Sequence, residues 1–172
     1  MSARAPYLIL GLGNELFSDE GLGVVASRSF EDREFANVEV VDGGTLGIEL
    51  VATIEGRQGL LLLDAVVADG GAPGDILVFE GDELRFSRQL LFSAHQIGVA
   101  EALAAADLIG RGPQQIAAVG MVPFSLETGY GVTVEAATRL PDMISTAETI
   151  LAGWGVAASK VDLEPRASEA KA

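Results

Sequence analysis

Residues 7–23 read YLILGLGNELFSDEGLG, and this stretch contains the elements from which the fold is built. It opens with a short apolar run, which is typical of a strand buried on both faces of a parallel sheet. A glycine turn follows at Gly11 and Gly13. Beyond it, apolar residues recur at the spacing of one helical face, at Leu22, Val25, Ala26 and Phe30. The stretch therefore predicts a strand, a tight turn and a helix in succession.

The turn begins like a dinucleotide-binding fingerprint but does not complete it. The pattern G-x-G-x-x-G needs a third glycine where this chain has Leu16. The acid expected about twenty residues further on would be Asp42, which lies 31 residues past Gly11 (42 − 11 = 31). A nucleotide-binding module is one alternative, but the turn instead leads to two carboxylates, Asp19 and Glu20, at the predicted helix start.

Composition limits the class of protein. The 172 residues carry a net charge of −14 and include no cysteine. Disulfides and thiolate metal sites are excluded, and a cysteine-free chain suits a reducing compartment, so we expect a cytoplasmic protein. The acidic balance argues against binding to nucleic acid or to an anionic membrane surface. We expect a monomer with a single domain over residues 1–155 and a mobile tail over 156–172, which is polar and aperiodic.

Strand and helix patterns alternate along the rest of the chain. Strands are predicted at 38–41, 60–63, 75–80 and 116–122, the third of these as an edge strand because breakers precede it. Helices are predicted at 46–54, 96–108 and 132–154, with Pro141 bending or splitting the last one. This alternation predicts an α/β three-layer sandwich, in which a twisted and mostly parallel sheet carries helices on both faces.

Ligands of such folds bind outside the carboxyl ends of the strands. Polar residues follow three of the predicted strands there, namely Asn14 and Glu20, then Asp42, then Asp64. Asp64 comes directly after four leucines, so its carboxylate sits at the rim of a buried strand and needs a partner. The convergence of these residues at one edge predicts a site.

Several of these residues also have plain structural explanations. Acids such as Glu20 are favoured in the first turn of any helix, and Asp19 suits a cap or turn better than a reacting group. Asp42 and Thr45 could form a turn followed by a helix cap. His95 is the only histidine of the chain, and it could simply cap the helix that follows it.

Taken as a set, Glu20, Asp64 and His95 offer two carboxylates and one imidazole. Such donors suit a divalent transition metal, whereas structural zinc sites take four ligands and usually thiolates. Three ligands leave positions open for water or for a group brought by a substrate. The chain shows no Ser-His-Asp signature and has no cysteine nucleophile.

The ordered motifs closely resemble the [NiFe]-hydrogenase maturation endopeptidases. These motifs are Gly11-Leu12-Gly13-Asn14, Asp19-Glu20-Gly21, Asp42-Gly43-Gly44-Thr45, Asp64-Ala65 and Ser93-Ala94-His95-Gln96. The resemblance runs from about Tyr7 to about Leu151. It implies the fold predicted above and a peptidase that cuts a C-terminal extension from the precursor of the hydrogenase large subunit after nickel insertion.

The resemblance also implies roles for individual residues. Glu20, Asp64 and His95 match the positions that contact metal in the family, so we expect them to sense nickel that the substrate supplies, and to form the catalytic group. Asp42 is a further catalytic candidate. We expect Asn14 and the turn at Gly43, Gly44 and Thr45 to contact the substrate tail, since glycine permits close backbone approach.

The sequence leaves two questions open, the mechanism and the choice between a peptidase and a metal chaperone. The family has been classed both as aspartic-type and as metallo-type, so the sequence leaves the mechanism undecided. A metal chaperone with the same three ligands is the second alternative; it differs in predicting tight nickel binding without proteolysis. No organic cofactor is expected.

Overall fold

The computed structural model describes residues 4–33, 35, 37–45, 48–86 and 94–156, without the side chains of 48, 85–86 and 94–97. The strands are β1 (Tyr7–Leu12), β2 (Val38–Gly44), β3 (Gly59–Ala65), β4 (Ile76–Glu80) and β5 (Gln115–Met121). The helices are α1 (Leu22–Glu31), α2 (Val51–Ile54), α3 (Asp82–Phe86), α4 (Ala94–Leu108) and α5 (Val134–Gly153). Single 3₁₀ turns lie at Ser18–Gly21 and Ile48–Leu50.

The strands form one sheet in the order β2-β1-β3-β5-β4. β1 pairs in parallel with β2 and β3, and β3 pairs in parallel with β5. Only β4 is antiparallel, along the free edge of β5. The predicted α/β sandwich with a mostly parallel sheet is confirmed, including the edge position of the strand that follows the breakers.

The leucine run of β3 supplies both faces of the sheet, as the period of two along a strand requires. Leu61 and Leu63 belong to a core built with α1 and α5. Leu60 and Leu62 belong to the opposite core, built with α2 and α4. All residues of β3 are buried, which explains why this strand reads as continuously apolar up to Asp64.

Several element bounds differ from those predicted. β2 and β3 run past Asp42 and Asp64, so both acids lie within strands rather than after them. The split at Pro141 is wrong, because α5 is assigned as one helix through that residue. Pro141 and Ala137 are both exposed, so water can satisfy the carbonyl of Ala137 that the proline ring cannot bond. The short helix α3 was not predicted.

The C-terminal boundary is described only in part. Val156 is buried with the residues of α5 in the core, and its amide donates to the carbonyl of Leu151. Residues 157–172 lie outside the described residues, so the predicted domain limit at 155 and the predicted tail stay predictions. Among the described helices, none combines the length and apolarity that crossing a bilayer requires.

Two glycines let the segment after β1 lie directly on the ends of the strands. A Cβ atom at Gly13, whose φ is +129°, would overlap the carbonyl oxygen of Glu20. A Cβ atom at Gly23 would overlap the carbonyl oxygens of Leu12 and Leu63. The start of α1 therefore contacts the backbone of both β1 and β3, and any side chain at these two positions would push it away.

We expect Gly23→Ala to destabilise the fold, because its methyl group meets backbone oxygens that cannot move independently. Overpacking of this kind costs about 1–3 kcal/mol. Urea unfolding followed by circular dichroism measures the change. Gly153→Ala is the control: Gly153 ends α5 with no heavy atom near its missing Cβ, so this change should stabilise the helix by about 0.5–1 kcal/mol. Equal stability of the two variants would contradict the close-packing argument.

Candidate active site

The carboxyl ends of β1, β3 and β5 meet at one edge of the sheet, with β3 in the middle. The chain leaving β1 and the chain leaving β5 therefore pass on either side of the end of β3. These two segments, residues 15–19 and 123–134, also pair with each other. The amide of Ser18 donates to the carbonyl of Gly129 at 2.8 Å, and the amide of Gly129 donates to the carbonyl of Leu16 at 3.0 Å. The end of β3 thus lies under a joined pair of loops.

Asp64 lies at this end of β3 and is only 4% exposed. It is paired in register with Gly120 of β5, and its Oδ1 accepts a hydrogen bond from the amide of Ala65 at 2.8 Å. Its side chain falls on the same side of the sheet as Leu60 and Leu62, the side covered by α4. A carboxylate with so little solvent contact depends on the polar groups around it for its charge state.

Glu20 lies on the segment that follows β1, next to the end of β3. It lies in the 3₁₀ turn Ser18–Gly21 and is partly exposed. Its carbonyl oxygen contacts Gly13 at the end of β1, and three residues later Gly23 contacts the carbonyl of Leu63, next to Asp64. The segment that carries Glu20 therefore packs against the backbone at the ends of β1 and β3, beside the residue that precedes Asp64.

Asp19 is not the N-cap of α1; of the two structural roles predicted for it, the turn is the one observed, since it lies in the 3₁₀ turn Ser18–Gly21. The residue that precedes α1 is Gly21, without a side-chain cap. Asp19 is completely buried, and its side chain contacts the loop after β5. Its carboxylate accepts hydrogen bonds from the amides of Phe124 (2.9 Å), Ser125 (3.1 Å) and Thr133 (2.7 Å), and from the Thr133 hydroxyl (3.0 Å). This carboxylate fastens the two loops together and thereby sets the position of its neighbour Glu20.

The sequence contained no signal for this role of Asp19. Its partners lie 105 to 114 residues further along the chain, so no local spacing connects them. Thr133 was also missed; it links Asp19 to α5, since its hydroxyl accepts from the amide of Ala136 at 3.2 Å and caps the helix.

Asp42 lies on the same edge but further out. Its strand, β2, is separated from β3 by β1, which corresponds to about 10 Å between backbones. The carboxylate is half exposed, accepts a hydrogen bond from the amide of Gly44 at 2.9 Å, and lies 3.6 Å from the guanidinium of Arg28. The structure therefore places Asp42 at the rim of the site and not beside Asp64.

The turn residues next to Asp42 differ in their surroundings. Gly43 is buried, and a Cβ atom there would lie 2.8 Å from a methyl group of Leu10, so its close approach is to the core of the chain itself. Gly44 has φ +47° and only the Asp42 carboxylate near its missing Cβ, at 3.6 Å. Thr45 is exposed. Gly44 and Thr45 are therefore the members of this turn that face outward.

A carboxylate–guanidinium pair, which the sequence analysis did not identify, holds the first loop against α1. Arg28 donates to both carboxylate oxygens of Glu15, at 2.8 and 2.6 Å. This hydrogen bonding lowers the pKa of Glu15 and raises the pKa of Arg28. Asn14, one residue earlier, uses its Oδ1 to accept from the amide of Leu16 at 3.0 Å. Asn14 therefore shapes the loop that leads to Glu20.

His95 lies in the first turn of α4, and its side chain is outside the described residues. The connection from Leu108 to Gln115 is short, so the C-terminal end of α4 lies near the amino end of β5. A helix of 15 residues is about 22 Å long and a strand of seven about 23 Å. The start of α4 is therefore at the carboxyl edge, on the face that carries Asp64.

For the three metal-contacting residues predicted from the sequence, the structure gives the positions of their backbones in the fold but no shared metal site. Within the part of the chain whose side chains are described, no three His, Cys, Asp or Glu residues lie close enough to hold an ion. Asp64 and Glu20 are the two described donors at the end of β3, and carboxylate oxygens with one imidazole suit a divalent transition metal. The role of the three as a metal-contacting group is a proposal, treated below.

The dinucleotide alternative conflicts with the position of Gly13. In that fold, the glycine turn leaves room for a pyrophosphate at the helix start. Here the space beside Gly13 is taken by the backbone of Glu20. The turn accommodates the chain's own acid-bearing segment, and a phosphate would meet carbonyl oxygens there.

Comparison with known proteins agrees with this architecture. The sequence profile of HycI, hydrogenase maturation protease, matches residues 25–150. The chain belongs to the hydrogenase maturation protease family. It is 38% identical over 157 residues to the hydrogenase expression/formation protein HupD of Bradyrhizobium diazoefficiens, covering 89% of this chain and 81% of HupD. It is 37% identical to the hydrogenase 2 maturation protease of Escherichia coli, covering 73% and 78%.

Solved structures of the family share the fold. The hydrogenase maturating endopeptidase HybD of E. coli superposes with a TM-score of 0.82 at 32% identity, over 91% of this chain and 96% of HybD. HybD from Thermococcus kodakarensis gives a TM-score of 0.68 at 27% identity, over 86% and 99%. Membership of the hydrogenase maturation protease family makes this chain a hydrolase, and the resemblance seen in the sequence is confirmed.

We expect Asp19→Asn to destabilise the protein, because the amide group turns an NH₂ toward buried backbone donors. Each buried donor left unsatisfied costs about 1–3 kcal/mol, so a loss of at least about 2 kcal/mol is expected in urea unfolding. Asp142→Asn is the matched control, since the carboxylate of Asp142 forms an exposed pair with Arg139 on α5. That variant should stay within about 0.5 kcal/mol of the parent. A loss at Asp142 as large as at Asp19 would contradict the role of Asp19.

Proposed function

We propose that this chain is the endopeptidase that removes the C-terminal extension of a [NiFe]-hydrogenase large-subunit precursor after nickel insertion. The observation that carries the proposal is the packing of the segment that bears Glu20 against the end of β3, next to the buried Asp64, in a chain of the hydrogenase maturation protease family. The relatives named hydrogenase 2 maturation protease and hydrogenase maturating endopeptidase support it. The protein acts in the cytoplasm as a monomer, with the precursor as its partner.

Nickel belongs to the substrate in this proposal. Glu20, Asp64 and His95 contact the nickel that the precursor carries, which places the scissile bond at the end of β3. This chain supplies two carboxylates and one imidazole, and a divalent transition metal accepts that mixture of donors. No organic cofactor takes part, and the chain needs no metal of its own.

The carboxylates also account for the hydrolysis. The chain has neither a cysteine nor a Ser-His-Asp signature, so water is the nucleophile. Asp64, shielded from solvent, contacts the nickel through one carboxylate oxygen. Through the other it accepts the proton of the attacking water as general base and passes that proton to the amine released when the peptide bond breaks, while Glu20 and His95 hold the nickel of the substrate. This assigns an aspartic-type proton transfer to Asp64, and the substrate's nickel acts through positioning.

The tail of the precursor leaves the site along the outer part of the edge. Gly44 and Thr45 face outward beside β1, and Asp42 lies with them at the rim. Asn14 completes the proposed substrate contacts, whereas Gly43, predicted as a fourth contact, is buried against Leu10 and shapes the turn instead. Asp42 is a second carboxylate within this surface, offset from Asp64 by about two strand spacings.

Asp64→Asn should abolish cleavage while the fold is retained. The amide oxygen can still accept from the amide of Ala65, whereas the basic group is lost. General base catalysis is worth about 10²–10⁴-fold, so we expect at least about a hundredfold loss in the rate of precursor cleavage, measured by mass spectrometry. Asp69→Asn, an exposed acid in the loop after β3, is the control and should cleave normally. Full activity of Asp64→Asn would contradict the assignment of Asp64 as the general base.

Nickel loading of the substrate should decide whether cleavage occurs. A cognate precursor, prepared with and without nickel, is incubated with the protein and weighed by mass spectrometry. Loss of a C-terminal peptide from the loaded form alone is expected. Cleavage of both forms would keep the peptidase but remove nickel as the signal. Cleavage of neither form, with nanomolar nickel binding by the free protein, would favour the metal chaperone.

A further inference from the structure

Large apolar side chains are exposed mainly on the side of the candidate active site. Among the described residues, ten large hydrophobic side chains are exposed, and seven of them follow the carboxyl ends of β1, β3 or β5. These seven are Leu16, Phe17, Val67, Phe124, Leu126, Tyr130 and Val134. Exposed apolar groups scattered singly need no explanation, but a concentration on one side marks an interaction surface.

Six of the seven lie on the joined loops, residues 15–19 and 123–134, which we call the apolar platform. Tyr130 and Val134 are its most exposed members, at 82% and 81%. Their neighbours in the chain are bound to the first loop. The amides of Gly129 and Gly131 donate to the carbonyls of Leu16 and Glu15, each at 3.0 Å. The exposed side chains therefore lie on two loops that are hydrogen-bonded to each other, the first of which leads directly into Glu20.

The platform is held in place before any partner arrives. The buried carboxylate of Asp19 accepts four hydrogen bonds across it, and the Ser18 hydroxyl donates to the carbonyl of Glu127 at 3.0 Å. Loops fixed in this way lose little conformational entropy on binding. A surface that exposes apolar groups at such fixed positions is suited to a protein partner of complementary shape.

The charges around the platform are mostly negative. Asp42, Glu127 and Glu135 are exposed near it, and the guanidinium of Arg28 is already paired with Glu15. With a net charge of −14 for the chain, this rim repels an anionic membrane and a second copy of the same chain. It complements a surface with apolar residues at its centre and basic residues at its edge.

We propose that the apolar platform is the docking surface for the body of the precursor, and that it binds an apolar patch with a basic border around the cut. This inference rests on the proposed function, because it takes the precursor as the occupant. The first loop of the platform leads directly into Glu20, so a protein whose tail enters the site lies beside the platform. Docking there supplies binding energy remote from the reacting bond, which appears in KM rather than in kcat.

The test compares two double variants with matched exposure. Tyr130→Ser with Val134→Ser removes the most exposed platform side chains. Leu108→Ser with Ile109→Ser is the control, since these residues are 88% and 57% exposed at the far end of α4. Cleavage rates over a range of precursor concentrations give KM and kcat, and biolayer interferometry with the same precursor gives Kd. Circular dichroism checks that each variant is folded, and Leu16→Ser is a second platform variant.

The platform variant should raise KM and Kd about tenfold or more, as expected for loss of an interface aromatic, with kcat within twofold of the parent. The control should change neither. Unchanged KM and Kd in both platform variants, or equal rises in platform and control, would overturn the docking proposal while leaving cleavage by the parent protein, and hence the proposed function, intact.

Three further results separate the remaining outcomes. If the parent binds the precursor without cutting it, and the platform variant binds more weakly, the surface is upheld and the peptidase assignment fails. Affinity should fall when NaCl is raised from 0.05 to 0.5 M, because salt screens the acidic rim. Affinity that rises with salt overturns the basic border. A parent dimer that the platform variant turns into a monomer assigns the surface to a second copy.

Discussion

The buried carboxylate of Asp19 is the interaction on which the site depends. It joins the loop after β1 to the loop after β5 through four hydrogen bonds, and these two strands flank β3. A charged group without solvent is stable only when its hydrogen-bonding capacity is satisfied. Asp19 meets that condition only when both loops are in place, so one side chain determines the position of Glu20, of the apolar platform and of the start of α5.

The position of the segment that carries Glu20 also requires close packing of backbone against backbone. Gly13 and Gly23 allow the segment that carries Glu20 to contact the carbonyl oxygens at the ends of β1 and β3. The glycine turn that resembles a phosphate-binding loop thus serves an internal contact. A similar sequence pattern supports a different chemistry here, because the space that a phosphate would need is filled by protein.

Acidic residues that are close in sequence or in the sheet have different roles because their surroundings differ. Asp19 and Glu20 are adjacent in sequence, yet one is fully buried and bonded to the protein while the other is partly exposed near Asp64. Asp42 and Asp64 both lie near the carboxyl ends of strands of the same sheet, yet one is half exposed at the rim and the other is buried on the face covered by α4. Shielding makes a carboxylate sensitive to the groups beside it, and exposure leaves it dominated by water.

The sequence by itself determined the fold class and the order of the strands along the chain, and it predicted the edge at which the candidate site lies. These follow from local patterns: apolar runs for buried strands, one-sided periodicity for helices, and polar residues at strand ends. Only the tertiary structure decided which acid is buried, which lies at the rim and which holds the loops. Asp19 reaches partners more than a hundred residues away, and Asp42 is separated from Asp64 by an intervening strand. Such distances depend on strand order in space, which a linear pattern does not contain.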